Sequence, residues 1–434
     1  MEDENLKLSR FTVTTSLEDG RIAVLNTHTN ALITIPKTSF RSIVNGNESE
    51  LVNNHLLELG ILVEDREEEL EEFMRYFYSV QHSGHVGLWL YLTSDCNLGC
   101  PYCYQGEDKP ALKISKPIIN RLITAIHDLQ SKYEDKSLSV TFYGGEPLLN
   151  KEMLDYAMDQ FNSEFSNMPR SYFMISNGTK IEGVEEVIRW AEKGLEGIQI
   201  TLDGTKEEHD NRRFRLDSDE GTFDNILSNI NLIKDTLPIN IRINYDKGNF
   251  SLIPQVIDLL EKTGLNIPNI TLTFEAIFDS DRSDYTKNQL IITESEEVEY
   301  LNYLLEYATK KDFNVAIGFE GPCTIRNFSG LVVYPNGNVY SCPGMAGLPD
   351  YSWGNVLSKL DFKKQKELLY EGIYPECNTC PLIPVCAGGC EWDELVNTGV
   401  QGRHCEYTKL LKVVKLSMKH RVNNKNNIAS FIRV

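Results

Sequence analysis

The sequence predicts an α/β protein, and three observations lead there. Between about residues 86 and 310, strand-like segments rich in β-branched and aromatic residues alternate with amphipathic helical spans. Glycine and polar residues collect just after the strand segments, the end of a parallel sheet where ligands bind. The ten cysteines fall into two groups, three within residues 96–103 and seven within 323–405. Successive β/α units imply a parallel sheet with right-handed crossovers, either doubly wound or curled into a partial barrel.

Residues 1–80 read as a separate module. FTVTTSL, a turn at Asp19-Gly20, IAVLNT, a turn at Asn30 and ALITIP give three strands. Two short helices follow at 39–44 and 50–59, the second stopped by Gly60, and ILVE is a short strand. This outline is winged-helix-like. It offers a strand edge and a groove suited to capturing an extended peptide, or it simply packs on the rest of the chain. The run EDREEELEE at 64–72 holds seven acidic residues and one Arg. It fits the solvated first turn of a helix, where carboxylates meet the positive end of the dipole; docking of a basic peptide is the alternative.

The six barrel strands are expected at GLWLYLT, LSVTFYGG, SYFMISNG, GIQITLDG, INIRINYD and ITLTFEAI. Helices are expected at 118–133, 153–165, 184–193, 223–237 and 253–263, with Pro117 ahead of the first and Gly264 after the last. Four polar segments then share the carboxyl end of the sheet: 96–103, 144–147, 176–179 and Asp203-Gly204.

Composition narrows the function. With 434 residues, 41% hydrophobic and 24% charged, the chain has material for two to four domains. A net charge of −20 argues against a nucleic-acid partner. MEDENLKLSR lacks the apolar core of a signal peptide, and no segment approaches the roughly 18 to 20 apolar residues that span a bilayer. A cytoplasmic protein without a membrane partner is expected. In a reducing cytosol, ten cysteines point to metal ligation or redox chemistry rather than disulfides.

Cys96, Cys100 and Cys103 form a CxxxCxxC triplet. Three thiolates on one loop can hold three irons of a cubane and leave the fourth iron without a protein ligand. Zinc would require a fourth ligand, and the nearest histidines, His82 and His85, precede the strand. With GGEP at Gly144, Gly145, Glu146 and Pro147 after the next strand, and Tyr102 as the aromatic between the last two cysteines, the sequence resembles the radical S-adenosylmethionine (SAM) superfamily. The resemblance implies a 4Fe-4S cluster whose open iron binds SAM and whose electron cleaves it to a 5′-deoxyadenosyl radical. It places GGEP against the methionine amino group, where two glycines allow close backbone approach. It also makes Ser176, Asn177, Thr201, Asp203 and Arg213 candidates for the ribose and carboxylate of SAM. Turns at 176–179 and 203–204, and a surface charge at Arg213, are the plain alternatives.

The later cysteines have their own spacing: Cys323, Gly337 five residues before Cys342, then Cys377-x2-Cys380-x5-Cys386-x3-Cys390, and Cys405. This resembles the SPASM extension, at all seven cysteines and the glycine. A zinc ribbon at 377–390 would leave Cys323, Cys342 and Cys405 unused. The resemblance implies two auxiliary 4Fe-4S clusters. Cys323, Cys342 and Cys390 hold the first, with one iron open; Cys377, Cys380, Cys386 and Cys405 close the second.

The resemblance therefore implies a partial (β/α)6 barrel at 86–310, a recognition element of the kind that binds peptide leaders at 1–80, and a cysteine-rich iron–sulfur domain at 311–434. It implies an oxidoreductase that matures a ribosomal precursor peptide, with thioether formation expected, and a reductant such as flavodoxin or ferredoxin. A carbon–carbon crosslink uses the same machinery. An anaerobic sulfatase-maturating enzyme is another reading; such enzymes carry an Asp after the second SPASM cysteine, where this chain has Pro343. The sequence names no catalytic base; Glu320 reads as a strand-end surface charge.

Overall fold

The computed structural model describes residues 6–106, 109–277, 292–317, 323, 326–368, 371–400 and 402–423. Glu320 lies outside the described residues. The chain divides into two compact units. Met1–His82, Ile317–Asn327 and Leu369–Val434 form one; Ser83–Ala316 and Phe328–Leu368 form the other.

In the first unit, strands β1 (Lys7–Leu8), β2 (Thr12–Ser16), β3 (Arg21–Asn26) and β4 (Leu32–Pro36) precede helices α1 (Lys37–Val44) and α2 (Glu50–Glu58), strand β5 (Leu62–Val63) and helix α3 (Arg66–Gln81). The antiparallel order β2-β3-β4 leaves β4 at an edge, and β1 pairs with β5. Alternation in β3 turns Ile22 and Val24 inward onto Ile43, Leu56, Ile61 and Leu62. The acidic run does open a helix: Asp65 caps α3, its Oδ1 accepting from Glu67 N at 2.7 Å and Glu68 N at 3.1 Å.

The second unit is built on β6 (His85–Thr93), β7 (Ser137–Gly144), β8 (Arg170–Ser176), β9 (Leu195–Thr201), β10 (Ile239–Tyr245) and β11 (Ile270–Ala276). Between and after them run α4 (Lys116–Gln130), α5 (Lys151–Glu164), α6 (Val184–Glu192), α7 (Lys206–Arg212), α8 (Phe223–Ile233), α9 (Ile253–Lys262) and α10 (Glu294–Thr309). All six strands are parallel and lie side by side in chain order. A doubly wound sheet reverses its strand order at a switch point. This one does not, so its order is that of a partial barrel. Three short strands extend it beyond the six expected: β12 (Asn314–Val315) at one edge, β13 (Leu331–Val333) beside β6, and β14 (Val339–Tyr340) beyond β13.

One sheet face, with Leu88, Val140, Met174, Ile200 and Ile241, is buried together with helix residues such as Leu122, Met158 and Ile230. Trp89, Tyr143, Gln199, Arg242 and Thr273, at alternating positions, are half-buried and chemically mixed. The chain closes this unit with α11 (Phe362–Glu367) and returns to the first with α12 (Ile383–Cys386), α13 (Glu391–Thr398) and α14 (Tyr407–Asn423). Among the described residues no helix is long and apolar enough to cross a membrane.

Candidate active site

The loop leaving β6 carries Cys96, Cys100 and Cys103, and the end of β7 is pressed against it. Gly145 N donates to Thr93 O at 2.9 Å and Glu146 N to Asp95 O at 2.8 Å. A Cβ at Gly144 would stand 2.2 Å from Thr93 O, and one at Gly145 2.2 Å from Asp95 O. The close approach that needs these glycines is thus to the chain's own cysteine loop. Glu146 is fully buried. It accepts from Leu148 N at 3.0 Å, Ser176 Oγ at 2.8 Å and Asn177 N at 2.7 Å, so it joins the ends of β7 and β8. Burial raises its pKa, and these hydrogen bonds oppose the rise. Pro147 opens the short 3-10 turn that follows.

Asn177 carries the network onward. Its Nδ2 donates to Asn97 Oδ1 at 2.9 Å, and Asn97 Nδ2 donates to Thr179 Oγ1 at 2.9 Å. Asn97 and Thr179 were not among the expected site residues. Asn97 sits between two cysteines of the triplet, which was the available signal.

Asp203, just past β9, is the second buried centre. Its carboxylate accepts from Asn244 N at 3.0 Å and from the Tyr102 hydroxyl, and lies 3.5 Å from Arg213 Nη1. Arg213 Nη1 also donates to Tyr102 OH at 2.8 Å. Arg213 is buried rather than a surface charge, and its Nε has no hydrogen-bond partner among the described residues. Thr201 ends β9 in register with Arg242 of β10. Burial raises the Asp203 pKa, while Arg213 and Arg212 pull it down. His209 Nδ1 accepts from Asp203 N at 3.1 Å. Neither His209 nor Asn244 was expected, although Asn244 lies at a strand end like the others.

Burial, then the Glu146 carboxylate, push the Cys96 thiol up to about 12, and burial raises Cys100 despite nearby Arg213. Such thiols stay protonated until a metal displaces the proton. Among the described residues no three His, Cys, Asp or Glu side chains converge on one metal-ion position. A single zinc requires convergence; a cubane takes each thiolate at a separate iron. The triplet, the orphaned buried guanidinium N–H and the polar strand ends fit an iron–sulfur cluster with an amino-acid-like ligand.

Among the later cysteines, burial raises the Cys380 thiol and so do Cys386, Cys377 and Cys405, while burial, Cys377 and Cys405 raise Cys386. These four lie close enough to influence one another, as a closed four-thiolate site demands. Backbone N–H groups already point at sulfur: Leu382 N to Cys380 Sγ at 3.4 Å, Asp393 N to Cys390 Sγ at 3.4 Å and, in the second unit, Gly344 N to Cys342 Sγ at 3.3 Å. Hydrogen bonds of this type tune bound iron–sulfur clusters.

Comparison with known proteins agrees with this geometry. Residues 90–249 match the model of the radical SAM superfamily. The chain is 21% identical to the radical SAM cyclopropyl synthase TigE of Paramaledivibacter caminithermalis, over 80% of this chain and 78% of that protein. It is 23% identical to a cysteine-type anaerobic sulfatase-maturating enzyme of Clostridium novyi, over 69% and 85%. Among solved structures, anSMEcpe with bound AdoMet and the Kp18Cys peptide superposes with a TM-score of 0.62 at 18% identity, over 79% of this chain and all of that one. Streptococcus suis SuiB bound to its precursor peptide SuiA gives 0.53 at 15% identity, over 93% and 99%.

Proposed function

We propose that the chain, whose residues 90–249 match the model of the radical SAM superfamily, is a radical SAM enzyme that matures a ribosomally made precursor peptide. The observation that carries the reading is the extent of its likeness to SuiB bound to precursor peptide, 93% of this chain, which takes in more than the barrel. The module at 1–80 binds the leader, the barrel at 86–310 holds SAM, and residues 311–434 supply auxiliary clusters. A flavodoxin or ferredoxin delivers the electron.

When bound, the SAM-cleaving cluster and SAM supply a 5′-deoxyadenosyl radical that removes a hydrogen atom from the peptide. Cys96, Cys100 and Cys103 hold that cluster. Glu146 fixes Ser176 and Asn177 at the mouth of the sheet, and Tyr102 and Asp203 fix Arg213, whose Nε–H would be available to the SAM carboxylate. Cys377, Cys380, Cys386 and Cys405 hold a closed auxiliary cluster; Cys323, Cys342 and Cys390 hold one with an open iron. With only three cysteines assigned to it, that site would leave a position at which a peptide thiolate could be held, which makes thioether formation the preferred chemistry.

A second reading, carbon–carbon ring closure, is favoured by the relative named a cyclopropyl synthase. Formylglycine formation is disfavoured by Pro343, whose position after Cys342 offers no carboxylate; its carbonyl accepts from Tyr91 OH at 3.2 Å. The test is anaerobic turnover of the reconstituted enzyme with SAM, reductant and a cysteine-containing precursor, read by mass spectrometry before and after alkylation. Thioether formation removes two hydrogens and one alkylatable thiol per crosslink. Two hydrogens lost with every thiol retained selects carbon–carbon closure, and no 5′-deoxyadenosine from a fully loaded enzyme overturns the function.

A further inference from the structure

The first unit contains a deeply buried ion pair. Arg326 Nη1 stands 2.8 Å from Glu391 Oε1, and each side chain is 1% exposed. Burying two charges sacrifices their hydration, and apolar side chains of similar volume are often as stable in such a place. Stability alone therefore gives little reason for the pair.

Its neighbours along the chain give a better one. Arg326 N donates to Cys323 O at 2.7 Å, tying that cysteine to the backbone of the buried arginine. Glu391 directly follows Cys390, which caps α13 and accepts at Sγ from Asp393 N. Tyr374 braces both partners: its hydroxyl donates to Glu391 Oε1 at 3.3 Å, and its ring centroid lies 5.3 Å from the Arg326 guanidinium carbon. Gly388, at φ +102°, makes room, since a Cβ there would stand 2.8 Å from Arg326 Nη2 and 2.9 Å from the Tyr374 ring. The side-chain pair thus links the backbone at Cys323, through Arg326, to the start of the helix at Cys390.

We infer that Arg326 and Glu391 are a positioning pair that assembles the first auxiliary iron–sulfur site, bringing Cys323 and Cys390 together before metal enters. The inference rests on the proposed ligand assignment, which gives those two cysteines to one cluster. The thiols hold the iron; the pair fixes where they stand. Closing the long loop between the two cysteines costs chain entropy. With the pair in place, that cost is met when the protein folds rather than when metal binds. A buried ion pair close in sequence to two proposed ligands would also shape the cluster's surroundings, one of the levers on its potential.

The test uses the full chain, reconstituted anaerobically with iron and sulfide, as wild type, Arg326→Lys, Arg326→Met and the Arg326→Met/Glu391→Met double variant. The double variant removes both charges of the pair together, so it keeps the fold testable if the single variant fails to fold. Iron and sulfide per chain, the electron paramagnetic resonance spectrum of each cluster and the melting temperature of the metal-free protein are measured. The expected result is a double variant that melts near wild type but binds about a third less iron, with one auxiliary signal lost and the SAM-cluster signal kept. Arg326→Lys recovers the iron with an altered auxiliary spectrum. A double variant with the full iron content and an unchanged spectrum overturns the inference, as does parallel loss of all clusters together with a lowered melting temperature. A wild-type protein that binds only two clusters overturns the ligand assignment itself, before any variant is compared.

Discussion

His209 shows how a residue outside the cofactor set supports the site. It is fully buried, with Nδ1 accepting from Asp203 N and Nε2 3.1 Å from Thr222 Oγ1. Burial, and then the charges of Arg213 and Arg212, hold its pKa well below the usual histidine value. Folded His209 stays neutral, whereas the unfolded chain protonates it below about pH 6.5. The unfolded state then binds more protons, so this contribution to stability is intact above that pH and is lost as pH falls below it. Urea titrations between about pH 5 and 8 should give a stability that falls by up to about 1.4 kcal/mol per unit below pH 6.5, and His209→Gln should flatten that slope. The spacing of the cysteines is local and readable in the sequence, whereas Glu146, Asp203 and Arg213 became candidates only through the family resemblance. That Gly144 and Gly145 face Thr93 and Asp95, or that Tyr102 bridges Asp203 and Arg213, depends on which strands become neighbours.

At the scale of elements, the six parallel strands and the helices between them were legible because period-2 and period-3.6 patterns are properties of contiguous sequence. Helix α10 was equally readable and was missed. Thr293 accepts from Glu296 N and the Glu296 side chain accepts from Thr293 N, a complete capping box, and Leu304, Leu305 and Ala308 form its buried stripe. Thr293→Ala should cost about 1 kcal/mol in denaturant unfolding without altering the iron content. Strands β13 and β14 were not legible. LVV and VY are too short to show a period, and β13 becomes a strand through its register with Leu88, Trp89 and Leu90 of β6.

For the whole molecule, the sequence read three consecutive stretches, whereas the compact units are assembled from distant ones. Phe11, Phe73 and Phe77 share a core with Ile373, Cys377, Ile383 and Ala387. Thr27 Oγ1 also donates to Pro381 O at 2.6 Å. Such pairings between the beginning and the far end of a chain leave no trace in local pattern. They change what a truncation does. Removing residues 1–82 strips the aromatic cover from the Cys377 turn, so the shortened chain should lose the iron and sulfide of the proposed closed cluster as well as the proposed leader affinity. Elemental analysis beside leader titration checks this; a truncated protein with its full metal content would show the shared core to be dispensable.

That shared core also sets an order of events during synthesis. A ribosome works from the amino end, so Phe11, Phe73 and Phe77 emerge long before Ile373 and Ile383 are made. The leading segment must wait with its aromatic face uncovered, a hazard for aggregation that favours holding by a chaperone until the trailing segment arrives. Packing of that face and, on the proposed ligand assignment, capture of iron at Cys377 then become a single late step, and a cell short of iron would accumulate molecules whose proposed leader-binding module is as unfinished as the Cys377 turn packed against it.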